Sequence, residues 1–176
     1  MVRVRAVHIS PADKSDAVPA LGIPSDAITV SSKTIPEFDI SYFFTKNIAA
    51  ELVLTYPQKH DVMLSGTKIG SLKELPPTLT LQYHFLPNEA FNPYLGIGIN
   101  YTNVSSVDLP GGLSLDHHSW GAAVQAGLDY RLDKNWSLNI DIKKVQMRSD
   151  LSAGGNTIST VKVDPVLFGL GIGYRF

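Results

Sequence analysis

Hydrophobic and polar residues alternate one for one along most of this chain, and helical spacing is nearly absent. Leu79, Leu81, Tyr83 and Phe85 alternate with Thr78, Thr80, Gln82 and His84. Trp120, Ala122, Val124, Ala126, Leu128 and Tyr130 oppose Gly121, Ala123, Gln125, Gly127 and Asp129. The same period runs through Phe38–Phe44, 48–56, 94–101, 136–143 and 166–176. An opening segment at about 2–8 sets Arg3 and Arg5 against Val2, Val4 and Ala6, which brings the count of expected strands to eight. Two-residue periodicity of this kind is the mark of strands with one apolar and one polar face.

The connections alternate as regularly as the residues. Short ones are expected at 45–47, 86–92 and 132–135; long ones at 11–34, 58–71, 104–115 and 149–162. The long ones carry turn formers such as Gly66, Gly70, Pro110-Gly111-Gly112 and Gly154-Gly155. An even strand number with every long connection at one end is the plan of an outer-membrane barrel, with short periplasmic turns and longer outside loops. No stretch approaches the ~18 uninterrupted apolar residues of a membrane-crossing helix, so a closed barrel is the remaining way to span a bilayer.

Composition decides little until the faces are separated. Net charge is −1, hydrophobic residues make up 44%, and the 15 Lys and Arg are scattered, so no nucleic-acid partner is implied. With no Cys, disulfides, thiolate metal sites and Cys nucleophiles are excluded. The polar faces, however, collect Arg3, Arg5, Asp39, Glu51, Gln82, His84, Asn100, Gln125, Asp129, Asn139, Asp141, Lys143 and Arg175 with many Gly and Ala. Small residues suit the crowded inside of a narrow barrel. The opposite faces carry Leu, Ile and Val in mid-strand, with Tyr56, Tyr83, Phe85, Tyr101, Trp120, Tyr130, Trp136, Tyr174 and Phe176 towards the ends, like interfacial girdles. The expected fold is therefore all-β: one eight-stranded antiparallel up-and-down transmembrane β-barrel domain over 1–176. A soluble ligand-carrying barrel would need these faces exchanged.

Several segments resemble the OmpW family of small outer-membrane barrels, in order along the chain. They are Arg3 to Pro11, Leu75-Pro76-Pro77-Thr78-Leu79, Asn92-Pro93-Tyr94-Leu95-Gly96-Ile97, Ser119-Trp120-Gly121-Ala122-Ala123, Val163-Asp164-Pro165 and Gly171-Ile172-Gly173-Tyr174-Arg175-Phe176. The resemblance implies a Gram-negative outer-membrane location, a removed export leader, and uptake of small hydrophobic molecules. Some members act instead as phage or bacteriocin receptors, so a closed structural or surface-receptor barrel without transport is the alternative. It also implies contact with outer-membrane lipids, a hydrophobic solute, and the barrel-assembly machinery, for which Tyr174 and Phe176 form the terminal strand signal. The chain departs from some members at Lys143, where they place an inward aromatic. A monomer without cofactor is expected.

Three groups of residues are candidates for function. Pro57 lies about ten residues beyond the Asn47 turn, and Pro76 and Pro77 lie at similar height on the neighbouring strand. Because proline donates nothing to a ladder, the third and fourth strands should part there, leaving a lateral exit into lipid. Val53, Val145, Met63 and Leu64 are candidates to line the solute path. Arg3, Arg5, Glu51, Asp129, Asp141 and Arg175 should pair as a polar plug, since an unpaired charge in a narrow lumen is costly. No catalytic set stands out and the chain is expected not to be an enzyme. His117 and His118 are adjacent strand residues, so they point to opposite faces and do not converge on one metal ion. The glycines at 96–98 and 169–173 sit in strands with no following helix, unlike a phosphate-binding loop.

Overall fold

A computed structural model describes residues 1–12, 14–18, 22–108, 113–153 and 156–176; the expected turn residues Pro110, Gly111, Gly112, Gly154 and Gly155 lie outside them. Fifteen strands are found among the described residues, numbered in chain order. Eight form a closed antiparallel ring: β1 (Val2–Ser10), β4 (Lys33–Phe43), β5 (Ile48–Leu54), β8 (Thr78–His84), β9 (Phe91–Asp108), β11 (His118–Arg131), β12 (Trp136–Val145) and β15 (Val166–Tyr174). Neighbours follow chain order, β1 meets β15 through Val2–Tyr174 to Ser10–Val166, and β9 meets β11 from Tyr130–Phe91 up to His118–Asn103. Closure gives every ring strand a hydrogen-bonded neighbour on each side, as a hydrocarbon surrounding demands.

The faces fall as the alternation requires. Ile97 is 68% exposed and Leu170 63%, whereas Arg3, Asp39, Glu51 and Asn139 are each at 0%. The apolar side chains look outwards and the ionic ones towards the axis. At the short-turn end Tyr42–Phe44, Tyr83–Phe85 and Tyr174–Phe176 make edge-on aromatic pairs, each with centroids 5.2 Å apart, a built girdle. At the other end Tyr101 and Trp120 pair at 4.8 Å.

The long connections are not simple loops. Residues 58–75 fold as a hairpin of β6 (Gln58–Leu64) and β7 (Thr67–Leu75), which β3 (Ile28–Val30) and the extended upper half of β9 flank. A second sheet, β10 (Leu113–Leu115), β13 (Arg148–Ala153), β14 (Asn156–Lys162) and β2 (Lys14–Ser15), stands beside it. Strand boundaries also exceed the sequence reading: β1 runs to Ser10 and β4 begins at Lys33. The physical reason is that backbone donors and acceptors above the ring still need partners, and continuing the ladder supplies them. The signal was present at Ser65-Gly66. These two residues have φ of 49° and 83° and join Leu64 to Thr67 as a two-residue turn whose left-handed conformation matches strand twist.

Gly66→Val should strain that turn by about 1–2 kcal/mol, the cost of a left-handed backbone for a residue with a Cβ. Amide exchange should quicken at Val62 and Leu72 while Ile97 and Leu138 in the ring stay protected; unchanged exchange in the hairpin would contradict the turn assignment.

Candidate functional site

Arg3 and Arg5, two apart on β1, both point inwards and share one carboxylate. Glu51 Oε2 lies 2.8 Å from Arg3 Nη1 and 3.0 Å from Arg5 Nη2. Asp129 grips Arg3 through both oxygens, at 3.2 and 2.8 Å, with Ser41 and Asp39 completing its shell. Arg5 reaches Glu37 at 2.9 Å and donates to Asn139 at 2.7 Å. Gln125 ties the walls together by donating to Glu51 and Asp141 at 2.8 and 2.7 Å, while its own oxygen accepts from Thr80 and Gln82. Tyr94 lies across Gly127, where a Cβ would meet its ring at 2.3 Å, and its hydroxyl donates to Asp141 at 2.7 Å. Gly127 is thus small because the ring needs the room.

Of the six residues expected in the plug, Arg3, Arg5, Glu51, Asp129 and Asp141 meet in this network. Arg175 does not join it: its guanidinium lies over the Phe43 ring at 4.0 Å, near the short-turn mouth. It is the second-last residue, so its strand position is too low to reach the carboxylates above. Glu37 was missed because the second strand was read from Phe38, whereas β4 begins at Lys33. Lys143, placed on the polar face but left out of the expected plug, is buried with its Nζ 3.7 Å from Glu37 and 3.9 Å from Asp141. A hollow of about 40 Å³ at the mouth is lined by Asn92, Asp129, Ser137 and Arg175, beneath the ionic network.

Above Lys143 the inward positions turn apolar. Val145 is buried in a cluster with Val30, Val62, Leu72, Val104 and Met147, to which Leu115, Leu151 and Val161 of the second sheet also belong. Val53 is buried beneath it. Leu64 packs against the cluster, but Met63 does not point into it; Val62 holds the inward position, because strand alternation within β6 places 58, 60 and 62 on the inner face.

The prolines stand where pairing fails. The β5–β8 ladder ends at Val53–Thr78 and the β6–β7 ladder resumes at Gln58–Glu74, so residues 54–57 face only residues 75–77. Pro57, Pro76 and Pro77 all lie in that interval. Pro77 still accepts at its carbonyl from Tyr101 N–H at 3.0 Å, which keeps the β9 side joined. On the other side, the β4–β5 ladder stops at Phe38–Leu54, leaving 33–37 of β4 paired only with β1.

Immediately above the interval lies a polar group no sequence motif announced. Gln58, His60 and Glu74 are buried on the inner face of the hairpin. His60 Nδ1 donates to Ser31 O at 2.9 Å and Nε2 faces Glu74 Oε1 at 3.3 Å. Burial alone would lower the His60 pKa, but the Glu74 carboxylate and the Ser31 carbonyl outweigh it and the opposing Lys33 charge, raising it above 6.5. The other two histidines of interest go separate ways: His117 bonds Val104 O at 3.1 Å, and His118 meets the Tyr101 hydroxyl at 2.6 Å.

Two predictions follow from these contacts. Glu51→Leu leaves two buried guanidinium groups short of a shared partner and should cost roughly 3–5 kcal/mol, read from urea unfolding in lipid vesicles. For His60, a raised folded pKa means that its contribution is complete below about pH 6.5 and is lost as pH climbs through the raised value. Exchange of β6 and β7 amides, corrected for intrinsic base catalysis, should therefore accelerate on the alkaline side, and His60→Leu should abolish that pH dependence.

The profile described as OmpW family matches residues 1–176. The chain is 42% identical over 184 residues to an uncharacterized outer-membrane protein, y4mB, of Sinorhizobium fredii, covering 99% of this chain and 79% of that protein. It is 36% identical to outer membrane protein W of Vibrio cholerae, covering 100% and 88%. A more distant relative, 26% identical over 88% of this chain and 77% of its own length, is the dibenzothiophene metabolism operon protein PahQ of Pseudomonas aeruginosa. Among solved structures, that of the outer membrane protein OprG from Pseudomonas aeruginosa superposes with a TM-score of 0.82 at 31% identity, covering 99% of this chain and 95% of the other. With its lipid-facing apolar band, closed ring and full-length family match, the chain belongs to the OmpW family of outer-membrane β-barrel proteins.

Proposed function

We propose that this barrel takes up small hydrophobic molecules at the outer membrane and releases them sideways into the lipid through the interval at Pro57, Pro76 and Pro77. One observation carries the reading: the apolar upper interior stands on a cross-linked ionic floor, and the ladder breaks just above that floor. A solute entering from the long-connection end meets Val62, Leu72 and Val145 first. Further descent would require stripping Arg3, Arg5 and Glu51 of their partners, a cost of several kcal/mol that an apolar molecule cannot offset. The side exit needs only displacement of side chains, since no ladder hydrogen bonds cross the 54–57 and 75–77 interval.

In this reading Val53 and Val145 line the path, Leu64 covers it from the hairpin, and Val62 takes the role first given to Met63. The relationship to a protein of a dibenzothiophene metabolism operon agrees with an apolar cargo.

Pro76→Thr combined with Pro77→Val restores two ladder donors and should cut whole-cell uptake of a hydrophobic solute severalfold, with heat-modifiable gel mobility unchanged. Undiminished uptake by a folded variant would exclude the lateral route, and lack of any uptake by the natural chain would favour the closed receptor barrel.

A further inference from the structure

The inner lip of the ladder break is polar although the cluster above it is apolar. Gln58 and Glu74 are cross-strand partners, so their side chains leave the same face, and His60 follows two residues along it. Gln58 uses its amide to donate to Tyr56 O at 2.9 Å, which leaves Oε1 buried with no donor. His60 Nε2 and Glu74 Oε1 face each other as a loose ion pair at 3.3 Å and make no well-formed hydrogen bond. Buried polar atoms are overwhelmingly hydrogen-bonded, and an orphaned Gln58 Oε1 beside a loosely held ion pair calls for a specific partner.

The requirement can be read from the donor and acceptor inventory. His60 Nδ1 must carry a hydrogen, because it faces a carbonyl. Gln58 Oε1 wants a donor and the Glu74 carboxylate can accept further ones, while His60 Nε2 donates when the ring is protonated and accepts when it is not. A neutral hydroxyl answers this set, since it donates one bond and accepts others. A hydrocarbon answers none of it. A carboxylate head would bring a second negative charge against Glu74 with no donor of its own.

We propose that Gln58, His60 and Glu74 form a head-group site at the exit, selecting apolar solutes that end in a hydroxyl group over plain hydrocarbons. The site rests on the uptake reading above and adds a substrate class to it: an aliphatic alcohol whose chain lies among Val62 and Leu72 while its hydroxyl engages the lip. The hydroxyl would be held last before the chain slides past Pro57 and Pro76 into lipid.

The test is whole-cell uptake of labelled 1-octanol and n-octane, in cells with an intact lipopolysaccharide layer, with and without the protein. The natural chain should stimulate octanol entry about three- to tenfold more than octane entry, the worth of one net hydrogen bond. Gln58→Met, close in shape but without the amide, should bring that ratio down towards one. Titration of the natural protein in lipid nanodiscs gives a second measurement free of any folding defect: octanol, and not octane, should shift the Gln58 side-chain amide and His60 ring resonances. Equal stimulation of both solutes with no selective resonance shift would overturn the head-group site and leave the uptake reading standing. Stimulation of neither solute would remove both.

Discussion

Every feature of this barrel descends from one constraint: inside hydrocarbon, each backbone N–H and C=O must find its partner within the protein. Here the requirement is met by closing β9 on β11, so that eight strands have no free edge across the membrane. Closure then forces each residue either towards lipid or towards the axis. Eight strands enclose little more than side chains, so whatever points inwards must fit closely and, if charged, must be paired. Gly127 beneath Tyr94 and Gly171 beside Arg5 are two consequences of that crowding.

The interior is consequently divided by chemistry. Near the short turns it is ionic, with Glu51 shared by Arg3 and Arg5 and bound through Gln125 to the opposite wall. Towards the long connections it becomes aliphatic at the level of Val53 and Val145. Lys143 marks the boundary, buried with Glu37 and Asp141 on one side and two residues below Val145 on its own strand. The pairing faults of the wall fall just above the same boundary. A floor that resists apolar matter and a wall that is unlaced directly above it are two halves of one arrangement, and they give the sideways route its physical sense.

How much of this was legible beforehand varies residue by residue. Arg3, Arg5, Glu51, Asp129 and Asp141 could be assigned to the lumen because a single alternating register fixes the face of every residue in a strand. Glu37 escaped because the lower-numbered half of β4, from Lys33, was read as part of the long connection, where no face is defined. Arg175 carried the right face but the wrong height, since alternation says nothing about level along the axis. Met63 failed because its segment was read as a loop, where no face is defined; once β6 exists, Val62 is the inward residue. Gln58, His60 and Glu74 went unread because the segment was taken for a loop; the hairpin turned at Ser65-Gly66 pairs Gln58 with Glu74 and sets His60 on the same face.

The amino-acid sequence by itself determined the number of strands in the ring, their order and which chemistry faces lipid, because these depend on a period of two and on connection lengths, both local properties. Only the tertiary structure decided which charges share a partner, where ionic gives way to aliphatic, and how the long connections continue the sheet. Those depend on the relative height and stagger of neighbouring strands, and stagger is set by pairing across the closed ring, which no single segment encodes.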